Sequence, residues 1–327
     1  MILAFVLKRL ALAVPTLIVI SFLTFVIARL APSDPVDIIA GEKATPETRA
    51  RIRHEYGLDR PILIQYLQYL QGIVTRGDFG TSFSSAGLPI SRLIVTSFPV
   101  TAQLAVQALL FALGLGIPAG ILAALYHNTL FDRITMALVV MLVSVPSIVL
   151  GPLLMLALAV RLNWLPVSGW KDAQNQIFLI GLPTPFYTDM VLPTVTLGAR
   201  SAALIARFMR SSLLDTLRQD YLRTAIAKGF SRAQAVRRHA LKNALLPVLT
   251  VVGTNFGLLL SGSFIVETLF QVPGIGFESI NSVLKRDYPV IQGMALLAAT
   301  VYILINLTVD ILYGFVDPRV RSREAGA

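Results

Sequence analysis

Uncharged apolar blocks of about 20 residues recur along the chain. Each is close to the length a helix needs to cross a hydrocarbon core of about 30 Å. The first covers residues 10–28, between Arg9 and Arg29. Blocks at 99–130 and 134–160 follow, the former with Pro118 and the latter with Pro146 and Pro152. Proline is tolerated in such segments when neighbouring helices re-satisfy the freed backbone groups. A weaker block at 190–209 is broken by Arg200, and strong ones lie at 243–266 and 288–309. The pattern predicts an all-α polytopic membrane protein with six transmembrane helices. Lys8 and Arg9 before the first block also suit a signal peptide, but the block is longer than a signal core and no clean cleavage site follows. It reads as a retained first transmembrane helix.

Two polar intervals look folded. In residues 31–98, "TPETRARIRHEYG" offers Thr45 as N-cap, Pro46 at the first helical position and Gly57 past the end. An amphipathic stretch, "RPILIQYLQYLQGIV", and the turn-rich "GDFGTS" come next. The second interval is "DYLRTAIAKGFSRAQAVRRHALKNALLPVLT", from Asp220 to Thr250. Leu214, Leu217, Tyr221 and Ala225 recur at helical spacing, as do Leu222 and Ile226. Gly229 sits where a helix-ending glycine belongs, and Ser231 with Gln234 forms a capping-box pattern. A second helix then carries Ala233, Val236, Ala240 and Leu241 on one side and Arg232, Arg237, Arg238 and Lys242 on the others. The prediction is helix, glycine turn, helix. Such a hairpin could lie on anionic headgroups or dock a partner, whose close approach its small-residue face permits. A nucleic-acid-binding helix-turn-helix has little place between two membrane spans.

Charge then orients the chain. Lys and Arg total 28 against 18 Asp and Glu, a net charge of +10. Basic residues collect in cytoplasmic loops of membrane proteins. With the N-terminus inside, segments 1–9, 127–133, 207–242 and 317–327 hold most of them, whereas the loops near 161–188 and 268–287 carry only Arg161, Lys171, Lys285 and Arg286. The 31–98 loop has seven basic and seven acidic residues, and long loops translocate largely regardless of charge. Both termini are therefore expected in the cytoplasm. Only 14% of residues are charged, against about a quarter in soluble domains. The chain has no cysteine, which excludes disulfides and thiolate metal sites, and no G-x-x-x-x-G-K-[ST] loop for ATP phosphates.

The 220–250 interval resembles the cytoplasmic EAA loop of ABC importer permeases. More narrowly, it is similar to the B-type subunit of the dipeptide/oligopeptide/nickel branch. The family's triplet falls on Arg223, Thr224 and Ala225 and its glycine on Gly229; only Ala225 and Gly229 match the general pattern. Its Leu-Pro falls on Leu246 and Pro247. "LKRLALAVPTLIVISFLTFVIARLAPSDP", "EYGLDRPILIQYLQYL", "GDFGTS", "ETLFQVPGIG" and "DILYGFVDPRVR" extend the resemblance over nearly the whole chain. It implies a type I ABC importer permease fold in a prokaryotic inner (cytoplasmic) membrane. The chain divides into the first helix (1–30), a folded extracytoplasmic loop (31–98), a permease domain (99–317) with a cytoplasmic coupling hairpin (213–243), and a tail (318–327). The implied partners are a second homologous permease, two ABC ATPases carrying ATP and Mg, an extracytoplasmic peptide-binding protein, and lipid. The chain itself would bind no cofactor and catalyse nothing. Tyr221, Arg223, Thr224, Ala225, Lys228, Gly229 and Phe230 would couple it to the ATPases.

Other residues carry two readings each. Arg200 is mid-span, where a charge is by default functional; it attracts a substrate carboxylate or else snorkels or pairs at a subunit interface. Thr250, Thr254, Gly257 and Ser261 form a small polar stripe that lines a pathway or packs helices. Glu267, Glu278 and Asp287 contact a binding protein or substrate amine at an outer gate, or are ordinary solvated charges. His54, His127 and His239 are too dispersed to form a metal site. The same machinery importing glutathione or nickel remains an alternative. An ion-driven secondary transporter is the alternative of another class; it would be expected to show repeats and paired intramembrane carboxylates, and neither is visible.

Overall fold

The computed structural model describes residues 2–30, 35–41, 44–85, 87–170, 188–260 and 263–316. Those residues are mostly helical and contain no strand beyond an isolated bridge between Thr81 and Pro89. The chain opens with α1 (Ile2–Leu30), followed by α2 (Pro35–Ala40), α3 (Pro46–Glu55) and α4 (Ile62–Arg76). Next come α5 (Ile90–Leu125), α6 (Leu130–Ser144), α7 (Ser147–Leu154, continued by a π-helical turn Met155–Arg161) and α8 (Thr188–Leu217). After these come α9 (Asp220–Ala227), α10 (Arg232–Ala235, running through π-helical Val236–Ala240 into α11, Leu241–Leu260), α12 (Phe264–Phe270), α13 (Ile275–Leu284) and α14 (Tyr288–Val316).

Helix α8 is the axis of the fold, and its close partner is α5. Their contact is made of small residues. A Cβ added to Gly116 would stand 2.6 Å from the Ala202 carbonyl oxygen, and one on Gly120 would stand 2.5 Å from that of Ala206. In return, Gly198 faces the Ala108 carbonyl, 2.7 Å from where its Cβ would be. Small residues four apart allow this backbone approach, which replaces the hydrophobic drive that lipid removes. Polar groups are shared along the same seam: the Thr194 hydroxyl donates to Gln107 Oε1 at 3.3 Å, with both residues buried. The buried Thr and Ser of α8 lower its hydropathy, so the block at 190–209 looks weak although the helix is central.

Four described helices are long and apolar enough to cross a membrane, within Leu10–Leu30, Ile90–Leu125, Arg232–Leu260 and Tyr288–Val309. A fifth is counted if α6 and α7 are taken as one bent span. The expected single helix at 134–160 is corrected here: the chain turns by 109° between Ser144 and Ser147. Pro146 has no amide hydrogen and drives the residue before it out of the α region. Val145 accordingly adopts φ −83°, ψ 118°. The block at 243–266 is also two pieces, since α11 ends at Leu260 and α12 starts at Phe264.

The 31–98 loop is folded and tethered. Thr45 caps α3 by accepting the Thr48 N–H at 3.3 Å, and Gly57 has φ +63°. Asp287, at the start of α14, accepts the Phe83 and Ser84 amides at 3.1 and 3.0 Å and the Ser82 and Ser84 hydroxyls. Phe79 packs with Ile90, Val290 and Met294. The tail at 318–327 lies outside the described residues.

The α5–α8 seam generates a test. Gly120→Leu should destabilise the protein by about 1–3 kcal/mol or more through overpacking. Gly114→Leu should not, because an added Cβ there meets nothing within 4 Å. Thermal midpoints of the detergent-purified variants decide it; equal midpoints would show that the seam yields freely.

Candidate functional site

The 220–250 interval folds as its pattern requires. Ser231 and Gln234 form the reciprocal capping box, with Ser231 N–H to Gln234 Oε1 at 3.0 Å and Gln234 N–H to Ser231 Oγ at 3.3 Å. Gly229 adopts φ +92°. A Cβ there would meet no atom within 4 Å, so glycine is required by the left-handed backbone and not by lack of space. The Phe230 amide then bonds back to the Ala225 carbonyl at 3.3 Å and closes the turn.

One face of this hairpin is continuous with the helical core. Leu222, Ala225, Ala235, Val236 and Ala240 are buried together with Ile205, Met209 and Leu213 of α8 and with Ala244 and Val248 of α11. The Tyr221 hydroxyl accepts from Asn243 Nδ2 at 2.9 Å, and Ser212 Oγ donates to the Ala244 carbonyl at 2.8 Å. The opposite face is open. Tyr221, Arg223, Thr224, Lys228 and Gly229 are exposed, as are Arg232, Arg237, Arg238 and Lys242. The Arg223–Asp220 pair, 3.5 Å apart and largely exposed, adds little stability. Phe230 is half-buried, edge-on to His239 at 5.6 Å with the Arg238 guanidinium 6.0 Å above its ring. Ala225 is the correction within the expected contact set. It is 9% exposed and faces the hairpin's own core, so its small side chain serves internal packing.

A cluster that the sequence reading missed joins this end of α8 to the α5–α6 turn. Asp132, 3% exposed, receives Arg210 in a bidentate pair at 2.6 and 2.7 Å, and the Asn128 amide at 3.0 Å. His127 Nδ1 lies 3.2 Å from Asp132 Oδ2 and 3.1 Å from Arg210 Nη2. The available signal was a cap followed by an acid, Thr129-x-x-Asp132, together with one Arg on the buried side of α8.

The remaining candidates separate. Arg200 and Arg207 lie on one exposed face of α8, two turns apart, and neither makes an ion pair among the described residues. Thr250 and Thr254 are exposed on α11. Gly257 is buried against α14, where an added Cβ would stand 3.4 Å from the Tyr302 ring, so it is not part of the exposed polar stripe. Ser261 lies outside the described residues. His54 sits 3.0 Å from Asp59 on the far loop, so the three histidines stand apart.

Glu267 and Asp287 are also corrections. Glu267 is fully buried and accepts four bonds: from the Thr101 and Ser263 hydroxyls at 2.8 and 2.9 Å, and from the Gly276 and Phe277 amides at 2.7 and 3.1 Å. Thr101 meanwhile accepts the Ile275 amide at 2.9 Å. Burial pushes the Glu267 carboxyl above the usual carboxylate range while these four donors pull it back, and together they fix the side chain at the head of α13. Gly274 and Gly276 let the chain wrap it, since an added Cβ at either would collide with the carboxylate. Asp287, 1% exposed, is used up in holding the 82–85 turn. Neither acid is open to a substrate or binding protein. Of the three only Glu278 keeps partial exposure.

Comparison with known proteins places this arrangement. Residues 116–322 match the family described as binding-protein-dependent transport system inner membrane component, and residues 2–105 match its N-terminal membrane-component family. The chain is 41% identical to the dipeptide transport system permease protein DppB of Escherichia coli K12, covering 98% of this chain and 100% of that one. It is 42% identical to the glutathione transport system permease protein GsiC of Salmonella typhimurium LT2, over 98% and 99%. It is 41% identical to the di/tripeptide permease DppB of Pseudomonas aeruginosa UCBPP-PA14, again over 98% and 99%. Among solved structures, the inward-facing MetNI methionine ABC transporter shares the fold, with TM-score 0.57 at 19% identity over 69% of this chain and 97% of that chain.

The Glu267 geometry is testable. Glu267→Gln puts an NH2 among buried donors, and each donor left unsatisfied costs about 1–3 kcal/mol, so it should lower the thermal midpoint by several degrees. Glu278→Gln should leave it nearly unchanged. Matching midpoints for the two variants would contradict the anchoring role.

Proposed function

The chain belongs to the family of binding-protein-dependent transport system inner membrane components, and from that premise we propose that it is the permease subunit of an ATP-driven importer of di- and oligopeptides. The observation that carries the coupling is the hairpin, whose inner face is part of the helical core while its outer face is open and basic. A force applied at Tyr221, Arg223, Thr224, Lys228 and Gly229 therefore moves α8 and α11 directly. Two partner ATPases bind ATP and Mg, seat this hairpin, and close on ATP. The resulting rigid-body motion of the spans alternates access between the two membrane sides. A second homologous permease supplies the other half of the pathway, and an extracytoplasmic peptide-binding protein delivers substrate. In this arrangement α1, α5, the bent α6–α7 pair, α8, α11 and α14 are the six spans, with both termini in the cytoplasm.

The peptide assignment rests on the dipeptide and di/tripeptide permeases to which the chain is similar. Glutathione is a second reading within the same chemistry, favoured by the similarity to a glutathione permease. Both substrates carry a free carboxylate. Arg200 and Arg207, on the exposed face of α8, give that carboxylate an attraction along the pathway, and Thr250 and Thr254 give it hydrogen-bonding partners.

Vesicles holding this chain with its partner permease, ATPases and binding protein should accumulate labelled dipeptide only with ATP. Uptake by this chain alone, without ATP, would contradict the assignment. Gly229→Val should cut uptake about tenfold at normal membrane level, given a left-handed backbone cost of about 1–2 kcal/mol. Gly229→Asn should retain more, because Asn tolerates that region; equal uptake in all three would remove the turn from coupling. Wild type should prefer a free dipeptide to its C-terminal amide, and Arg200→Ala should lose that preference. Equal preference in both would take Arg200 off the route.

A further inference from the structure

Helix α4 belongs to the loop that the charge pattern places outside the membrane, yet it is attached deep on a spanning helix. The Tyr66 hydroxyl donates to the Ile18 carbonyl at 3.0 Å and bonds Ser21 Oγ at 2.8 Å. Its ring stacks edge-on to Phe22 and Phe25, at 5.1 and 5.5 Å. Ser21 lies nine residues inside the apolar window Leu10–Leu30, about 13 Å from its C-terminal end at 1.5 Å per residue. The contact is therefore below the edge of the apolar layer that α1 crosses.

The faces of α4 agree with that depth. Leu63, Leu67, Leu70 and Val74 recur at i, i+4, i+7 and i+11 and form one stripe. Leu63, Leu67 and Val74 are 62%, 55% and 81% exposed, so none of the described residues covers them. Gln68, Gln71 and Thr75 share another exposed face, mostly polar, with Ile64 at its N-terminal end. Tyr66 and Tyr69 point between these toward α1, with Tyr69 5.9 Å from Phe25. An apolar arc continuous with a spanning helix and a polar arc away from it is the pattern of a helix lying in the membrane interface. The neighbouring flank of α1, with Val19, Phe22, Leu23 and Ile27, is itself apolar and exposed, so the stripe extends an existing apolar surface of a spanning helix.

We propose that α4 is an interfacial membrane helix whose Leu63–Leu67–Leu70–Val74 stripe contacts lipid acyl chains, held at that depth by Tyr66 on α1. The 31–98 segment then sits partly in the bilayer instead of standing clear of it. This placement does not depend on which substrate is carried.

The chain has no cysteine, so single cysteines can be introduced at Leu63, Leu67 and Val74, at Gln68, Gln71 and Thr75, and at Leu23 as a lipid-facing reference. Each is spin-labelled in the assembled importer in vesicles, the other chains being cysteine-free, and dipeptide uptake is checked for each. Collision with oxygen, enriched in lipid, should exceed collision with a nickel chelate, confined to water, at Leu63, Leu67, Val74 and Leu23. The order should reverse at Gln68, Gln71 and Thr75. A nickel-dominated signal at Leu67 and Val74 would overturn the proposal in favour of a water-facing surface. Protection from both reagents would overturn it in favour of the second permease as occupant. Leu67→Trp gives an independent readout: its fluorescence should be quenched by lipids with brominated acyl chains, and unchanged fluorescence would count against membrane contact.

Discussion

The close approach of α5 and α8 is the constraint on which the remaining architecture depends. Where Gly116, Gly120 and Gly198 bring the two backbones into contact, helix association rests on dispersion and shared hydrogen bonds, because lipid is as apolar as the side chains. Once α8 is fixed, α6, α11, α7 and α12 have one surface to pack against. The bend at Pro146 lets α7 turn across the core, where Ala159 packs with Leu192 of α8 and Phe270 of α12.

The same axis also carries the polar hairpin. Leu222, Ala225 and Val236 join the same cluster as Ile205, Met209 and Leu213, so the hairpin packs directly on α8. The Arg210–Asp132 pair binds the α5–α6 turn to the same helix one turn above. Removing one member of a buried pair leaves an uncompensated charge, which costs far more than the pair contributes. The pair thus ties α6 to α8. At the other end, Glu267 and Asp287 fix the short helices and the 82–85 turn.

Much of this was legible in the sequence, for stated reasons. The hairpin was readable because capping chemistry is local: Ser231–Gln234 and Gly229 specify their own geometry. Thr45 and Pro46 gave α3 in the same way. Tertiary facts were harder. Glu267 and Asp287 looked like solvated loop charges because a carboxylate ringed by backbone amides leaves no mark in sequence. Gly257 shared a helical face with Thr250 and Thr254, and only the position of Tyr302 separates them. Asp132 and Arg210 are 78 residues apart, beyond any periodicity. The break at Pro146 was visible as a proline but not as a bend of 109°, since other prolines, such as Pro118, sit inside unbroken helices.

The central claim is that the exposed face of α9 and its glycine turn is where ATPase motion enters the chain. A single photoreactive cysteine adduct at Thr224, exposed on that face, tests it in the assembled importer, with Val74 on the loop side as the comparison position. The account predicts an adduct with an ATPase subunit from Thr224, in a yield that changes when ATP is added, and none from Val74. An intact, peptide-importing complex that yields no ATPase adduct from Thr224 would contradict it.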